Sequence, residues 1–330
     1  MPSLRVVSLF TGCGGLDLGF EQSGHFDVIW ANEMKKYAVK TYSRNFHKTV
    51  VDKRDIRKIP SNEIPDCDGV IGGPPCQPFS IGGARRGGDD PRGTLVFEFV
   101  RVVADKRPKF FVIENVASLA KEVKYRNLFT SILDSFKELG YNVQADVLIS
   151  SDYNVAQTRK RLFIVGTLNS ENAYIPPSPS NKKLVLRDVI ADIESSAKEA
   201  NRYTSTNPDL NGHEYASLSV SKPSRWFMSH QRVRGWDEQS YTILATVSSV
   251  TLHPSCKKMI RKGPGDFAFD GPESTYRRLT VRECARIQGF PDEFYFVYKS
   301  LASAHRMVGN AVPPPMGKAI AESVYNALVR

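Results

Sequence analysis

Short runs rich in Val, Ile and Phe alternate with helix-like segments over the first 168 residues, and this rhythm restricts the fold more than any other feature. The runs are RVVSLF (5–10), FDVIWA (26–31), DGVIG (68–72), FFVIE (110–114), ADVLIS (145–150) and RLFIVG (161–166). Segments such as 34–46, 95–106 and 124–139 have helical character and lie between several of them. Strands alternating with helices predict an α/β fold, with a mostly parallel sheet covered on both faces.

The rhythm stops at IPPSPSN (175–181), whose Pro and Ser mark a linker, and the chain to about Tyr276 is polar and irregular. Helical spacing returns over 313–330, where Met316, Ile320, Val324 and Leu328 share one face. A helix placed after such a gap is expected to pack back on the first domain. No apolar run approaches the roughly 20 residues of a membrane span, and no signal-peptide pattern opens the chain. Five scattered cysteines, without a CxxC, suggest neither a disulfide framework nor a metal site, and a cytoplasmic location is expected.

Charge points to the partner. The net charge is +10 and the pI about 9.3, which favours a polyanion. Between Lys222 and Lys262 eight Lys or Arg face two acids, Asp237 and Glu238, so six of the ten excess charges lie in that stretch.

The first strand runs into FTGCGG (10–15), a glycine-rich turn that lets backbone approach a ligand. Glu33 ends the next strand 21 residues after Gly12, where an acid reaches ribose hydroxyls in nucleotide-binding α/β folds. Asp55 is placed to reach an adenine amino group. The turn is not GxGxxG and no Walker lysine follows it, so the pattern favours a ligand with one adenosine and no pyrophosphate. S-adenosylmethionine fits that description.

The reactive end is VIGGPPCQPFSIGG (70–83), which presents Cys76 on a rigid corner instead of among core neighbours. Glu114 and Asn115 end the apolar FFVI strand, QTRKR (157–161) opens another, and RRLTVRECARIQGFP (277–291) and GNAVPPPMGKAI (309–320) follow. PPCQ, ENV, QxRxR and RxLTxRExxRxQGFP, in this order, resemble the DNA (cytosine-5) methyltransferases. The likeness is greatest to small bacterial enzymes of type II restriction–modification systems and extends from Leu9 to Ile320.

That resemblance implies a Rossmann-like, S-adenosylmethionine-dependent methyltransferase fold and assigns roles residue by residue. Cys76 is the nucleophile at cytosine C6, because a thiolate attacks well even when sparsely populated. Glu114 lies at N3 and the exocyclic amine, Arg161 at O2, and Arg159 close to a backbone phosphate. Phe10, Gly12, Gly14, Gly15, Glu33, Asp55, Ile56, Pro75, Leu95, Asn310 and Val312 line the cofactor pocket, and no metal takes part. The target base leaves the duplex stack, and the loop from Gln77 to Thr94, with Ser80, Arg85 and Arg86, closes over the DNA.

Residues 1–175 with 304–330 are expected to form the catalytic domain, 180–277 the target-recognition domain and 278–303 the hinge. Arg232 and Arg234 are placed to read guanine or to hold phosphates. The RVRGW and RRLTVRECAR runs are similar to those of GGCC-reading members, although LATVSSVTLHP (244–254) lacks an arginine for a second guanine. The enzyme is expected to act as a monomer on double-stranded DNA. A thiol-dependent dehydrogenase conflicts with the absent GxGxxG. A non-catalytic relative would lack Cys76 or Glu114.

Overall fold

The structure, a computed structural model, describes residues 2–75, 95–168, 173–200, 210–219 and 222–329. In chain order its regular elements begin β1 (Leu4–Leu9), α1 (Gly15–Gln22), β2 (Phe26–Asn32), α2 (Lys36–Asn45), β3 (Val50–Asp52) and β4 (Gly69–Gly72). They continue α3 (Leu95–Lys106), β5 (Phe110–Val116), α4 (Ser118–Lys121), α5 (Arg126–Glu138), β6 (Tyr141–Ile149) and β7 (Lys160–Leu168). Beyond these come α6 (Leu186–Ile190), the short strands β8 (Lys198–Glu199) and β9 (Glu214–Tyr215), the hairpin β10 (Ile260–Gly263) and β11 (Asp266–Ala268), then α7 (Val281–Ile287), α8 (Leu301–Asn310) and α9 (Pro314–Val329).

Among the described residues, β1 to β7 form one sheet in the order β3-β2-β1-β4-β5-β7-β6. The first five are mutually parallel, and β7 runs antiparallel to both β5 and β6. The reversal follows from the connection. No α-helix lies between Ile149 and Lys160, so the chain turns back directly instead of crossing over. The six expected strands are present, and β3 joins them. β6 starts at Tyr141 rather than 145, because its alternating YNVQ opening reads as polar when β-content is judged by apolar runs alone.

The inner strands are buried on both faces, as all-apolar runs require. β4 is buried throughout, and Phe110 to Asn115 of β5 are too. One face packs Val7, Val70, Phe111 and Ile113 under Val96, Phe99, Ile132 and Phe136 of α3 and α5. The other packs Val6, Phe26, Phe110 and Val112 with Phe20 of α1 and Met316, Ile320 and Val324 of α9. Each such side chain contributes roughly 1.5–3 kcal/mol on burial, so α9 is bound firmly to the sheet despite its distance in sequence. α7 and α8 build a further core with Tyr42, Phe46 and Ile243, and Phe227, Val233, Leu252 and Met259 form a small one in the irregular region.

The strand order reverses between β1 and β4, since β2 lies on one side of that pair and β5 on the other. A crevice opens at the carboxyl ends of strands at such a point. The turns after β1 and β4 flank it, and β2 and β5 end beside them.

Candidate active site

The turn after β1 takes a shape few sequences tolerate. Phe10, Gly12 and Gly14 have φ of +54°, +59° and +92°. A Cβ on Gly14 would lie 2.4 Å from the Phe46 ring, and one on Gly15 would lie 2.3 Å from the Val312 carbonyl oxygen. The small residues therefore bring Val312, expected in the cofactor pocket, directly onto the turn. Glu33 holds the turn from the other side: Oε2 accepts from the Gly12 N–H at 3.0 Å and Oε1 from the Lys35 N–H at 2.7 Å.

Asp17, which the sequence reading passed over, anchors the same turn from beneath. It is buried, with Oδ1 accepting from Ser8 Oγ at 2.9 Å and Oδ2 accepting from Thr11 Oγ1 at 2.6 Å and Tyr42 Oη at 2.7 Å. Burial raises its pKa, and the hydroxyls oppose that rise only in part. Inside LDLGF it looks like a polar position on a helix face. Only the hydroxyls that converge from β1, the turn and α2 reveal its place.

Asp55 caps the short turn at 56–58, accepting from the Arg57 N–H at 3.1 Å and pairing with the Arg57 guanidinium, which holds its carboxyl below the usual range. Ile56 is buried beneath it, Phe10 and Leu95 are half-buried, and Pro75 and Asn310 are exposed.

At the end of β5, Glu114 is buried, and the Arg161 Nε–H donates to its Oε1 at 2.8 Å. The β5–β7 register makes this contact, since Val116 lies opposite Arg161 and Glu114 opposite Phe163. Burial pushes the Glu114 carboxyl up, while the charges of Arg161 and Arg159 restrain the shift. Its Oε2 lies against the corner after β4, at 3.1 Å from where a Gly73 Cβ would stand. Asn115 fixes that corner: its Nδ2 donates to the Pro74 carbonyl at 2.9 Å while its Oδ1 accepts from the Val116 N–H at 2.9 Å. A carboxyl able to hold a proton thus faces the corner that leads into Cys76. Cys76 itself, with Gln77, Ser80, Arg85 and Arg86, lies outside the described residues.

The remaining arginines have partners within the protein. Arg159, assigned to a DNA phosphate, is only 1% exposed, and its terminal nitrogens donate to the Ile243 and Gly309 carbonyls at 3.0 and 2.7 Å. Burial, and next the Arg161 charge, push this guanidinium down to about 9, so it stays charged at neutral pH. Arg232, assigned to guanine or phosphate, is also buried: it donates to the Phe227 and Trp226 carbonyls at 2.6 and 2.8 Å and lies 4.4 Å from the Trp226 ring centre. Arg234 pairs with Glu238 at 2.9 Å above the Tyr241 ring. In this state Arg159 and Arg232 serve as internal struts, because backbone carbonyls in the interior need donors as much as phosphates do.

The Thr-x-x-Glu spacing of the 277–291 run is a helix cap. Thr280 accepts from the Glu283 N–H at 3.0 Å, and Glu283 accepts from the Thr280 N–H at 2.8 Å. Glu283 also takes both ends of the Arg277 guanidinium at 2.8 and 2.9 Å. Arg282 donates to the Asn211, Pro291 and Phe294 carbonyls. Much of this motif therefore builds the junction between the sheet and the irregular region. Among the described residues no helix is long and apolar enough to cross a membrane.

Comparisons with known proteins agree with this arrangement. The family model described as C-5 cytosine-specific DNA methylase matches residues 4–326. Type II methyltransferase M.MthTI of Methanothermobacter thermautotrophicus is 45% identical over 331 residues, covering 99% of this chain and 98% of that protein. Type II methyltransferase M.NgoPII of Neisseria gonorrhoeae is 42% identical, with 99% and 97% covered. Among solved structures, a DNA modification methyltransferase encoded within an E. coli prophage superposes with a TM-score of 0.73 at 24% identity, over 99% of this chain and all of that one. This likeness supports the fold. From the extent of the family match and the identity to these relatives, the chain belongs to the C-5 cytosine-specific DNA methylases.

Proposed function

We propose that this DNA (cytosine-5) methyltransferase acts through a covalent bond between Cys76 and C6 of a cytosine turned out of the duplex. The observation that carries the reading is the Glu114–Arg161 pair, set against a corner that Asn115 pins at Pro74, two residues before Cys76 in the chain. The Cys76 thiolate adds to C6, and Glu114 supplies a proton at N3 to receive the displaced electron pair. C5 then bears the density needed to take a methyl group. Loss of the C5 proton, expulsion of the thiolate and return of the N3 proton to Glu114 restore the aromatic ring. Arg161 orients the Glu114 carboxyl and faces the base oxygen at C2.

The turn at 10–15 fits S-adenosylmethionine, which supplies an electrophilic methyl group when bound. Among the described residues a Cβ on Gly12 would meet nothing within 4 Å, so the backbone there is open to a ligand. Glu33 would receive the ribose hydroxyls, Asp55 the adenine amino group, and Phe10 and Ile56 the faces of the base. Pro75, Leu95, Asn310 and Val312 would complete the walls.

Residues 180–277 are read as the part that selects the DNA sequence, and the enzyme as the protecting partner of a restriction endonuclease. GGCC is the sequence to test first, by bisulfite sequencing of plasmid from cells that express the protein.

The mechanism is tested with duplex DNA carrying 5-fluorocytosine at the target. Fluorine cannot leave C5 as a cation, so the adduct persists after methyl transfer. A complex that survives denaturation and needs both Cys76 and S-adenosylmethionine is expected. Equal trapping by Cys76→Ser would sink the assignment.

A further inference from the structure

The QTRKR run does more than carry Arg161. Its first residues are joined to 240–243 in the irregular region: the Ser240 N–H donates to the Ala156 carbonyl at 2.9 Å and the Thr158 N–H to the Ser240 carbonyl at 3.1 Å. The buried side chains of Gln157 and Arg159 then close on one residue from both sides. Gln157 Oε1 accepts from the Ile243 N–H at 2.8 Å, and Arg159 donates to the Ile243 carbonyl at 3.0 Å.

The other arm of the same guanidinium donates to the Gly309 carbonyl at 2.7 Å. Gly309 lies hard against this segment, since a Cβ there would stand 2.5 Å from the Ala245 nitrogen and the Leu244 carbonyl carbon. Gly309 is followed within three residues by Val312, whose carbonyl touches the turn at Gly15. Arg159 is two residues from Arg161, the partner of Glu114. One buried clasp thus meets the strand behind Glu114, the 243–245 segment and the turn that leads to Val312.

We propose that Gln157 and Arg159 are positioning residues that fasten the DNA-selecting region to the strand holding the Glu114–Arg161 pair. Holding both the N–H and the C=O of Ile243 fixes its orientation as well as its place. A neutral amide and a charged fork suit the two tasks, because the amide oxygen accepts from an N–H while the rigid guanidinium fork spans two separated carbonyls. Arg159 has no free N–H at the surface for a phosphate. Both terminal nitrogens are engaged, and Nε is buried without a partner among the described residues. The proposal rests on the reading of residues 180–277 as the selecting region.

The test compares wild type with Arg159→Met, Gln157→Leu and Arg159→Lys on unmethylated plasmid DNA of known sequence. Each variant is measured for kcat, for the salt dependence of DNA binding, and by bisulfite sequencing. Arg159→Met should lower kcat about 10- to 100-fold, the size expected of a misplacement near 1 Å. The share of methyl groups outside the wild-type target set should rise several-fold, while the slope of log affinity against log salt stays unchanged. Arg159→Lys should recover part of both losses, since it restores a charged donor to one carbonyl. Gln157→Leu should act in the same direction, and the double variant should lose less than the product of the single losses, because both residues hold Ile243.

A slope that falls by about one, with the target set unchanged, would make Arg159 a phosphate ligand and overturn the proposal. A drop in thermal stability with unaltered kcat and target set in the folded protein would overturn it as well. Neutralising Lys257, Arg261 and Lys262 tests the selecting region separately. If that leaves affinity and slope untouched, the assignment of the region fails. The fastening role stands or falls on kcat and the unchanged slope of Arg159→Met.

Discussion

At the sheet's carboxyl edge Glu114 pairs with the Arg161 guanidinium at 2.8 Å, while Arg159, two residues before Arg161, turns to backbone carbonyls. At the junction Glu283 receives both ends of Arg277 and the Thr280 N–H. Both carboxyls are buried, and burial alone raises both pKa values. At Glu114 burial wins. At Glu283 the hydrogen bonds and charge of Arg277 overcome it, and the pKa falls below the usual range. A carboxyl whose partners outweigh burial keeps its charge and builds structure, whereas one at which burial wins can hold a proton. Of these two buried acid–arginine pairs, the chain places the second kind where the proposed mechanism needs a proton.

The largest expected effect tests that contrast directly. Glu114→Gln keeps the shape and an acceptor for Arg161 but cannot deliver a proton to N3, so methyl transfer and 5-fluorocytosine trapping should slow about 10²- to 10⁴-fold. Circular dichroism should remain that of wild type. The pH profile sharpens the point. Activity carried by protonated Glu114 falls as pH rises through its raised folded pKa, and the glutamine variant should lose this limb. Retention of the limb would assign it to another group.

Glu283→Gln should do the reverse, damaging stability more than chemistry. It leaves Arg277 without its charge partner at a buried site, and breaking such pairs costs about 3–5 kcal/mol. Urea unfolding measures the loss. The protein that remains folded should turn over with nearly wild-type kcat. A variant as stable as wild type would show that Arg277 and the Thr280 N–H do not outweigh burial at Glu283.

Acid separates the two regions in another way. His213, His253 and His305 are buried around the junction, and burial, the main cause at each, lowers their pKa values, to about 4 for His253 and about 3 for His305. The unfolded chain binds protons at these histidines near pH 6.5 and the folded chain does not, so stability falls as pH drops below that value. Each contributes about 1.4 kcal/mol per pH unit, and His253 does so down to about 4, for roughly 3 kcal/mol in all. Asp17 and Glu114 carry the opposite sign. Their folded forms bind the proton more readily, so their contribution grows as pH falls from the folded pKa toward the unfolded value near 4. Acid unfolding should therefore begin in the junction, and His253→Gln should flatten the loss between pH 6.5 and 4. An unchanged acid limb would place the sensitivity elsewhere.

What the sequence disclosed divides along the same line. Apolar runs ending in glycine or an acid are local signals, and they locate β1, β2, β4 and β5 together with Glu33 and Glu114. β3 has only Val50–Asp52 to announce it, and the direction of β7 depends on a connection without a helix. Arg159 meets partners 84 and 150 residues away, so nothing in QTRKR reveals that its charge is internal. The irregular region is held by side chains on carbonyls, as with Arg232 and Arg282, and such contacts leave no periodic trace.

Asp17 gives the smallest and most discriminating test, because it is a buried acid with hydroxyl partners and no guanidinium. Asp17→Asn keeps one acceptor oxygen, enough for Thr11 and Tyr42, and turns the other position into a donor, so the Ser8 hydroxyl proton loses its acceptor. Leaving one buried hydroxyl proton without an acceptor costs about 1–3 kcal/mol. Removing a charge whose pKa burial already raises offsets part of that cost, which places this variant below Glu283→Gln. Thr11, which opens the glycine turn, shares Asp17 with Ser8, so the loss should also appear as weaker binding of S-adenosylhomocysteine by calorimetry, with Glu114-dependent trapping at saturating cofactor nearly intact. If product binding holds while stability falls, Asp17 supports only the sheet. If both hold, the hydroxyls have other acceptors and the turn is fixed by Glu33 and the glycines alone.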